Sequence, residues 1–350
     1  MQVYELTAFG APLGAATRDV PEPGGSEVLV RVVSSGVCHS DVHLRDGYYD
    51  LGGGKKLPMP RGVATFPHVL GHEIVGEVAA LGAEAHGIAL GARCVVYPWI
   101  GCGTCSTCAR GDEHLCTRPR ALGITAGGGY AEYVVVPHSR YLLDIGDVPE
   151  DLACTLACSG LTAYSALKKT LPLGPDDRLA IFGAGGVGLA AIGLAQRVTG
   201  CAPIVVELDA GRRRAALAAG AKDAVDPTEL SGPGEFVKRC GGRLNAAIDF
   251  VGAQATAALA FETLTMGGRL ISVGLLGGAF EVPLPMLALR ALTFQGSYVG
   301  SLAEMGELME LAKSGAFAPI PIETRPLSAA EDALEDLRAG RITGRIVLKP

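Results

Sequence analysis

The sequence predicts an α/β protein whose first half is mostly β and whose second half is a doubly wound parallel sheet covered by helices. Short alternating or β-branched runs, EVLVRVV (27–33), RCVVY (93–97) and YAEYVVV (130–136), are separated by Gly- and Pro-rich turns and read as strands. From about residue 179 the pattern becomes apolar strands alternating with Ala-rich helical stretches: LAIFG, GLAAIGLAQRV, PIVVEL, AGRRRAALAAGA, and later AAIDFV (246–251) and RLISVGL (269–275). Such βαβ alternation specifies parallel strands buried on both faces. Beyond about residue 299, SLAEMGELMELAKSG reads as an amphipathic helix, and PIPIETRPL, another helix and the terminal RIVLKP leave the βαβ rhythm. That tail is expected to return to the first domain, with a ligand cleft between the two.

Composition bounds the function. The 350 residues suit about two domains, and 49% hydrophobic with 19% charged residues exclude a disordered chain. A net charge of −6 without a basic tract excludes the electrostatic footprint of a nucleic-acid or anionic-membrane binder. The longest uncharged stretch, residues 179–196, is rich in glycine and reads as strand, turn and helix rather than a membrane span. MQVYELTAFG, with Glu5, lacks the cationic start and apolar run of a secretory signal, so a cytoplasmic chain is expected. Ten cysteines there point to metal or catalysis rather than to a disulfide framework.

Four of them, Cys102, Cys105, Cys108 and Cys116, are spaced C-x2-C-x2-C-x7-C in a Gly-rich stretch. Four thiolates on one tight loop suit tetrahedral zinc and leave no open coordination position, so the role is structural. A ferredoxin-type run would continue with x3 to a Cys-Pro pair, which x7 and Thr117 do not provide. A second set is dispersed. GVCHSDVH places Cys38, His39, Ser40, Asp41 and His43 together, and LGHEIVGEV adds His72 beside Glu73, without the second histidine of HExxH. A catalytic zinc needs a third ligand, for which spacing leaves both Cys154 and Cys158 open.

Residues 183–188 read GAGGVG after the strand RLAIF and before a helical run, placing Gly183, Gly185 and Gly188 in the dinucleotide fingerprint. The acidic residue for the adenosine ribose is expected at the end of PIVVELD, with Asp209 preferred over Glu207, favouring NAD over NADP. Arg212, Arg213 and Arg214 read either as a solvated helix face or as phosphate ligands that weaken that preference.

These motifs occur in one order, GVCHSDVH, GHEIVGEVAALG, the Cys102–Cys116 loop, CSGLTAY (158–164) and GAGGVG, and with them the whole chain resembles the zinc-containing medium-chain alcohol dehydrogenases, closest to the bacterial and archaeal NAD-dependent type. The resemblance implies a GroES-like β catalytic domain (1–158 and 299–350) interrupted by a Rossmann NAD-binding domain (159–298). It implies two Zn2+ per chain, with Cys38, His72 and Cys158 as the catalytic ligands and Glu73 beside them. Asp41 then orients His72, Ser40 and His43 form a proton relay, and His39 and Arg345 face the cofactor phosphates. Thr162 falls beside the nicotinamide and Arg214 near the adenosine ribose. The implied activity is reversible hydride transfer from a primary or secondary alcohol to NAD+, with Trp99, Ile124 and Leu275 lining an apolar pocket. A homodimer or homotetramer is expected. The alternatives are a sibling dehydrogenase of polyols, sugars or a CoA-linked hydroxyl, and a zinc- and nucleotide-binding sensor without turnover.

Overall fold

A computed structural model describes residues 1–60, 62–315 and 320–350. Its second half is built around six parallel strands in the order Asp223–Val225, Ile204–Val206, Leu179–Phe182, Leu244–Asp249, Leu264–Ser272 and Thr293–Gly296. All four residues of Leu179–Phe182 are buried, which is why that stretch is continuously apolar instead of alternating. Strand order reverses on either side of Leu179–Phe182, so a crevice opens at the carboxyl ends of this strand and Leu244–Asp249.

The first half supplies a larger, mainly antiparallel sheet. Its path runs Leu142–Asp144, Arg93–Val96, Glu73–Leu81, Val28–Gly36, Arg345–Lys349 and Ile322–Pro326, with Tyr133–Val136 also on Val28–Gly36. Val28, Val30 and Val32 alternate inward as the sequence pattern requires. The tail returns to this sheet, where Val347 and Leu348 pair with Gly36 and Ser35. A smaller sheet joins Gly14–Thr17, Gln2–Leu6 and His68–Val69.

The two halves share one apolar core. It runs from Val28 and Val96 through Leu156, Leu161 and Leu167 to Leu189 and Ile248, so the helical segment starting at Glu150 is the seam between them. Within this segment, helices Glu150–Thr155 and Leu161–Lys169 are separated by a π turn, Leu156–Gly160. Among the described residues no helix is long and apolar enough to cross a membrane.

Candidate catalytic metal centre and nucleotide crevice

The strand Val28–Gly36 delivers Cys38 to the N-cap of helix His39–Asp46. The helix stops at Gly47, whose left-handed φ of 81° lets its N–H donate to the His43 carbonyl at 2.9 Å. On the first turn, Asp41 is fully buried and organises its surroundings as an acceptor. It receives the Cys38 N–H at 3.0 Å, the Gly71 N–H at 3.2 Å and the Tyr130 hydroxyl at 3.1 Å. It also lies 3.1 Å from His72 Nδ1, which fixes the proton there and turns the Nε2 lone pair outward. His72 Nε2 is buried without a hydrogen-bond partner.

That orphaned nitrogen faces soft donors. Cys38 Sγ and Cys158 Sγ stand 3.9 Å apart, and Cys38, His72, Glu73 and Cys158 each present a ligand atom within 4.8 Å of the others. Hydrogen bonding between the two thiols lowers the pKa of Cys38 and raises that of Cys158. Two thiols, an imidazole lone pair and a carboxylate fit zinc, the carboxylate as the exchangeable member. Glu73 accepts from the Ser159 N–H at 3.2 Å and pairs with Arg345. Burial pushes its carboxyl up to about 7 against the pull of the Arg345 charge. The π turn brings Cys158 here, whereas Cys154 donates to the Asp151 carbonyl at 3.3 Å and is buried away from this set.

The second cysteine set is also assembled. Its sulfurs approach at 3.5 Å (Cys105–Cys108), 3.8 Å (Cys105–Cys116) and 4.0 Å (Cys102–Cys108). Backbone N–H groups of Cys102 and Arg118 donate to Cys116 Sγ at 3.4 and 3.3 Å, as expected of a thiolate ligand. Glu113 anchors the loop by accepting from the Gly101 N–H at 3.2 Å and the Tyr141 hydroxyl at 2.7 Å. This all-thiol set fits a closed, structural zinc.

In the crevice, Gly183 takes a φ of 92°, a turn that a side chain resists. A Cβ on Gly188 would strike the Gly183 carbonyl, so the helix Gly186–Thr199 can start close to its strand only with glycine there. Gly185 has open space on its Cβ side, where a pyrophosphate can approach. Arg345 crosses this helix start, its Cδ lying where a Gly186 side chain would go. Thr162 lies one turn beyond Cys158 and is buried. His39 is exposed and within range of the Arg345 and Arg212 charges. Ser40 Oγ is 3.8 Å from Cys38 Sγ. His43 packs against Tyr49 with ring centroids 5.0 Å apart and planes tilted by 44°, and burial lowers its pKa.

The placement of Asp209 needs correcting. The strand ends at Val206, so Glu207 stands at its end, with its carboxylate accepting from the Ala184 N–H at 2.8 Å. Asp209 is exposed and caps the next helix, accepting from the Arg212 N–H at 2.8 Å. The arginine triplet divides its work. Arg212 donates to the Gly340 and Ile342 carbonyls, Arg213 pairs with Asp226 at 2.9 Å, and Arg214 is exposed. Trp99 abuts the His72 ring, Ile124 is partly buried and Leu275 is half exposed. Sequence reasoning missed Tyr130, Tyr49 and Tyr298, none of which sits in a motif.

Comparison with known proteins agrees with this geometry. The alcohol dehydrogenase GroES-like domain family matches residues 24–147, and the zinc-binding dehydrogenase family matches residues 186–314. The chain is 36% identical to the NAD-dependent alcohol dehydrogenases of Sulfurisphaera tokodaii and Saccharolobus solfataricus, covering 100% of both chains in each case. Its fold superposes on the alcohol dehydrogenase of Aeropyrum pernix with a TM-score of 0.88 at 30% identity and 100% coverage of both chains. For the acetophenone reductase of Geotrichum candidum in complex with NAD, the values are 0.86 at 28% identity, covering 100% of this chain and 97% of the other. The chain belongs to the zinc-containing medium-chain alcohol dehydrogenase family, with NAD as its cofactor.

Proposed function

We propose that this dehydrogenase transfers a hydride between a primary or secondary alcohol and NAD+ at the centre formed by Cys38, His72 and Cys158. The observation that carries this reading is the buried, unpartnered His72 Nε2 beside two thiols in contact. Zinc, when bound, supplies Lewis acidity that eases loss of the alcohol proton. NAD supplies the hydride acceptor.

The chain's own residues do the rest. Asp41 holds His72 in the tautomer that presents Nε2. Ser40 and His43, three apart, share one face of their helix. The alcohol proton leaves through the Ser40 hydroxyl and is taken up outward by the His43 imidazole, which burial keeps neutral and able to accept it. The pyrophosphate is held by the helix start after Gly183, Gly185 and Gly188, with His39 and Arg345 opposing its charge. Thr162 flanks the nicotinamide and Arg214 the adenosine end. Glu207, in place of Asp209, takes the ribose hydroxyls and repels a 2′-phosphate. Cys102, Cys105, Cys108 and Cys116 hold the structural zinc.

The same proposal includes a homodimer or homotetramer in the cytoplasm. Exposed Leu284, Leu289 and Phe294 beside the edge strand Thr293–Gly296 support self-association, and ten cysteines without a disulfide suit a reducing compartment.

Initial-rate NADH formation over a panel of alcohols, polyols and sugars tests the reading, together with elemental analysis of protein purified without added metal. Two zinc ions per chain and turnover of simple alcohols are expected. Exclusive turnover of polyols or sugars would replace the substrate assignment, and iron with visible absorbance would overturn the structural-zinc assignment.

A further inference from the structure

Asp41 has a side-chain donor that no motif foretells. An ionised carboxylate offers about four lone-pair sites, and on Asp41 every one is engaged. Oδ1 takes the Gly71 N–H at 3.2 Å and faces His72 Nδ1 at 3.1 Å, while Oδ2 takes the Cys38 N–H at 3.0 Å and the Tyr130 hydroxyl at 3.1 Å. Two of these donors are peptide groups, one of Cys38 itself and one of the residue before His72, so they arrive with the ligands. Tyr130 is the donor from elsewhere, 89 positions away from Asp41.

The chain around Tyr130 is shaped to bring it there. Residues 127–129 are consecutive glycines, and the segment runs against Val69–Gly71, which leads into His72. The Gly128 N–H donates to the Val69 carbonyl at 2.9 Å, the Gly129 N–H to the Gly71 carbonyl at 2.7 Å and the Tyr130 N–H to the Leu70 carbonyl at 2.9 Å. A Cβ on Gly128 would stand 2.2 Å from the Gly71 carbonyl oxygen, and one on Gly71 would stand 2.4 Å from the Tyr130 ring, so the approach demands glycine on both sides. Tyr130 is wholly buried. A phenylalanine would fill such a place without needing a polar partner. The hydroxyl instead meets the carboxylate that orients a metal ligand.

We propose that Tyr130 is a positioning residue of the catalytic metal centre: its hydroxyl holds Asp41, Asp41 holds the His72 ring, and the tightness of zinc binding depends on that hydroxyl. This rests on the reading of Cys38, His72 and Cys158 as the zinc ligands. Hydrogen bonds to an ionised acceptor are stronger than neutral ones, and the outer partners of a metal-bound histidine are typically worth about 10- to 100-fold in metal affinity. Without the hydroxyl, Oδ2 keeps a single donor, and the carboxylate that fixes Nδ1 loses a restraint.

The test withdraws zinc from the purified holoenzyme with a chromogenic chelator in wild type, Tyr130→Phe, Asp41→Asn and the double variant, with Cys158→Ala marking which ion belongs to the catalytic centre. In Tyr130→Phe, which keeps the ring, the catalytic zinc should be held roughly tenfold more weakly, while the ion of the Cys102–Cys116 loop is held as before. On the Asp41→Asn background the same change should cost less than about twofold, because the charged acceptor is gone. A spectroscopic readout separates positioning from packing: with Co2+ exchanged for the catalytic zinc, the visible absorption bands should shift in Tyr130→Phe. Unchanged or tighter zinc binding in Tyr130→Phe, or unshifted cobalt bands, overturns the inference. So does an equal weakening of both ions, which would mean a general loosening of the fold. A tenfold loss that persists on the Asp41→Asn background overturns it as well, since the hydroxyl would then act without the carboxylate. If Cys158→Ala still holds two zinc ions, the ligand reading falls and takes the inference with it. If Cys158→Ala holds one and Tyr130→Phe behaves as wild type, the role of Tyr130 alone falls.

Discussion

Glu207 and Asp209 are two positions apart, yet one carboxylate turns toward the Gly-rich turn and the other closes the end of a helix. A spacing of about 20 residues from the fingerprint cannot separate them, because strand ends and helix caps both favour an acidic residue. The end of pairing at Val206 puts Glu207, and not Asp209, at the strand end. Glu207→Gln, which keeps an acceptor for the Ala184 N–H and removes the charge, should narrow the NAD over NADP preference in kcat/KM by roughly tenfold, or 1.4 kcal/mol. Asp209→Ala should leave that preference unchanged and cost about 1 kcal/mol of stability through the lost cap. The opposite pattern would return the ribose to Asp209. His68 illustrates a residue whose sequence context carries no signal. It is buried with Nε2 unpartnered, and burial lowers its pKa below the ordinary 6.5. As pH falls below about 6.5 the unfolded chain takes up a proton that the folded chain refuses, so stability is lost in that direction. Urea midpoints of the zinc-loaded protein should therefore decline less steeply below that pH in His68→Leu than in wild type, and equal slopes would show that His68 carries none of the dependence.

Elements differ in how local their determinants are. The Cys102–Cys116 loop is legible from spacing alone because all four ligands lie on one turn-rich segment and bring themselves together. The dinucleotide turn is equally legible, since Gly183 and Gly188 answer to a turn and a close approach within six residues of sequence. The DLACTLACSG stretch is not. Four-residue spacing puts Cys154 and Cys158 on one face of a regular helix, but the π turn at Leu156–Gly160 inserts an extra residue and aims Cys158 alone at Cys38. Only the family resemblance separated the two cysteines beforehand. Cys154→Ala should keep both zinc ions and most activity, at a stability cost of about 1 kcal/mol for the small void. Deleting Ala157 should convert the turn to ordinary helix, swing Cys158 off the centre and drop zinc content from two to one, as should Cys158→Ala. Retention of two zinc ions in the deletion variant would show that the π turn does not set the ligand's position.

The whole molecule depends on a chain that leaves its first sheet and comes back. The return was suggested in the sequence by a broken rhythm after residue 299, but its purpose was not legible, because no local pattern says that RIVLKP must lie beside Val28–Gly36. Pairing of Val347 with Gly36 carries Arg345 to Glu73, a partner 272 positions away, in a contact where both side chains are almost wholly buried. The pair therefore joins the metal centre, the nucleotide helix start at Gly186 and the C-terminal tail. Removing one partner of a buried pair leaves the other without compensation, at about 3–5 kcal/mol. Arg345→Met should accordingly lower urea stability of the zinc-loaded protein by that order, and adding Glu73→Gln should recover most of the loss because the stranded carboxylate is gone. NADH affinity should behave differently. If Arg345 faces the phosphates as proposed, that affinity should stay low in the double variant, measured by titration of the protein's fluorescence with NADH. A double variant as unstable as Arg345→Met would mean that the arginine's packing, rather than its pairing with Glu73, holds the two ends of the chain together.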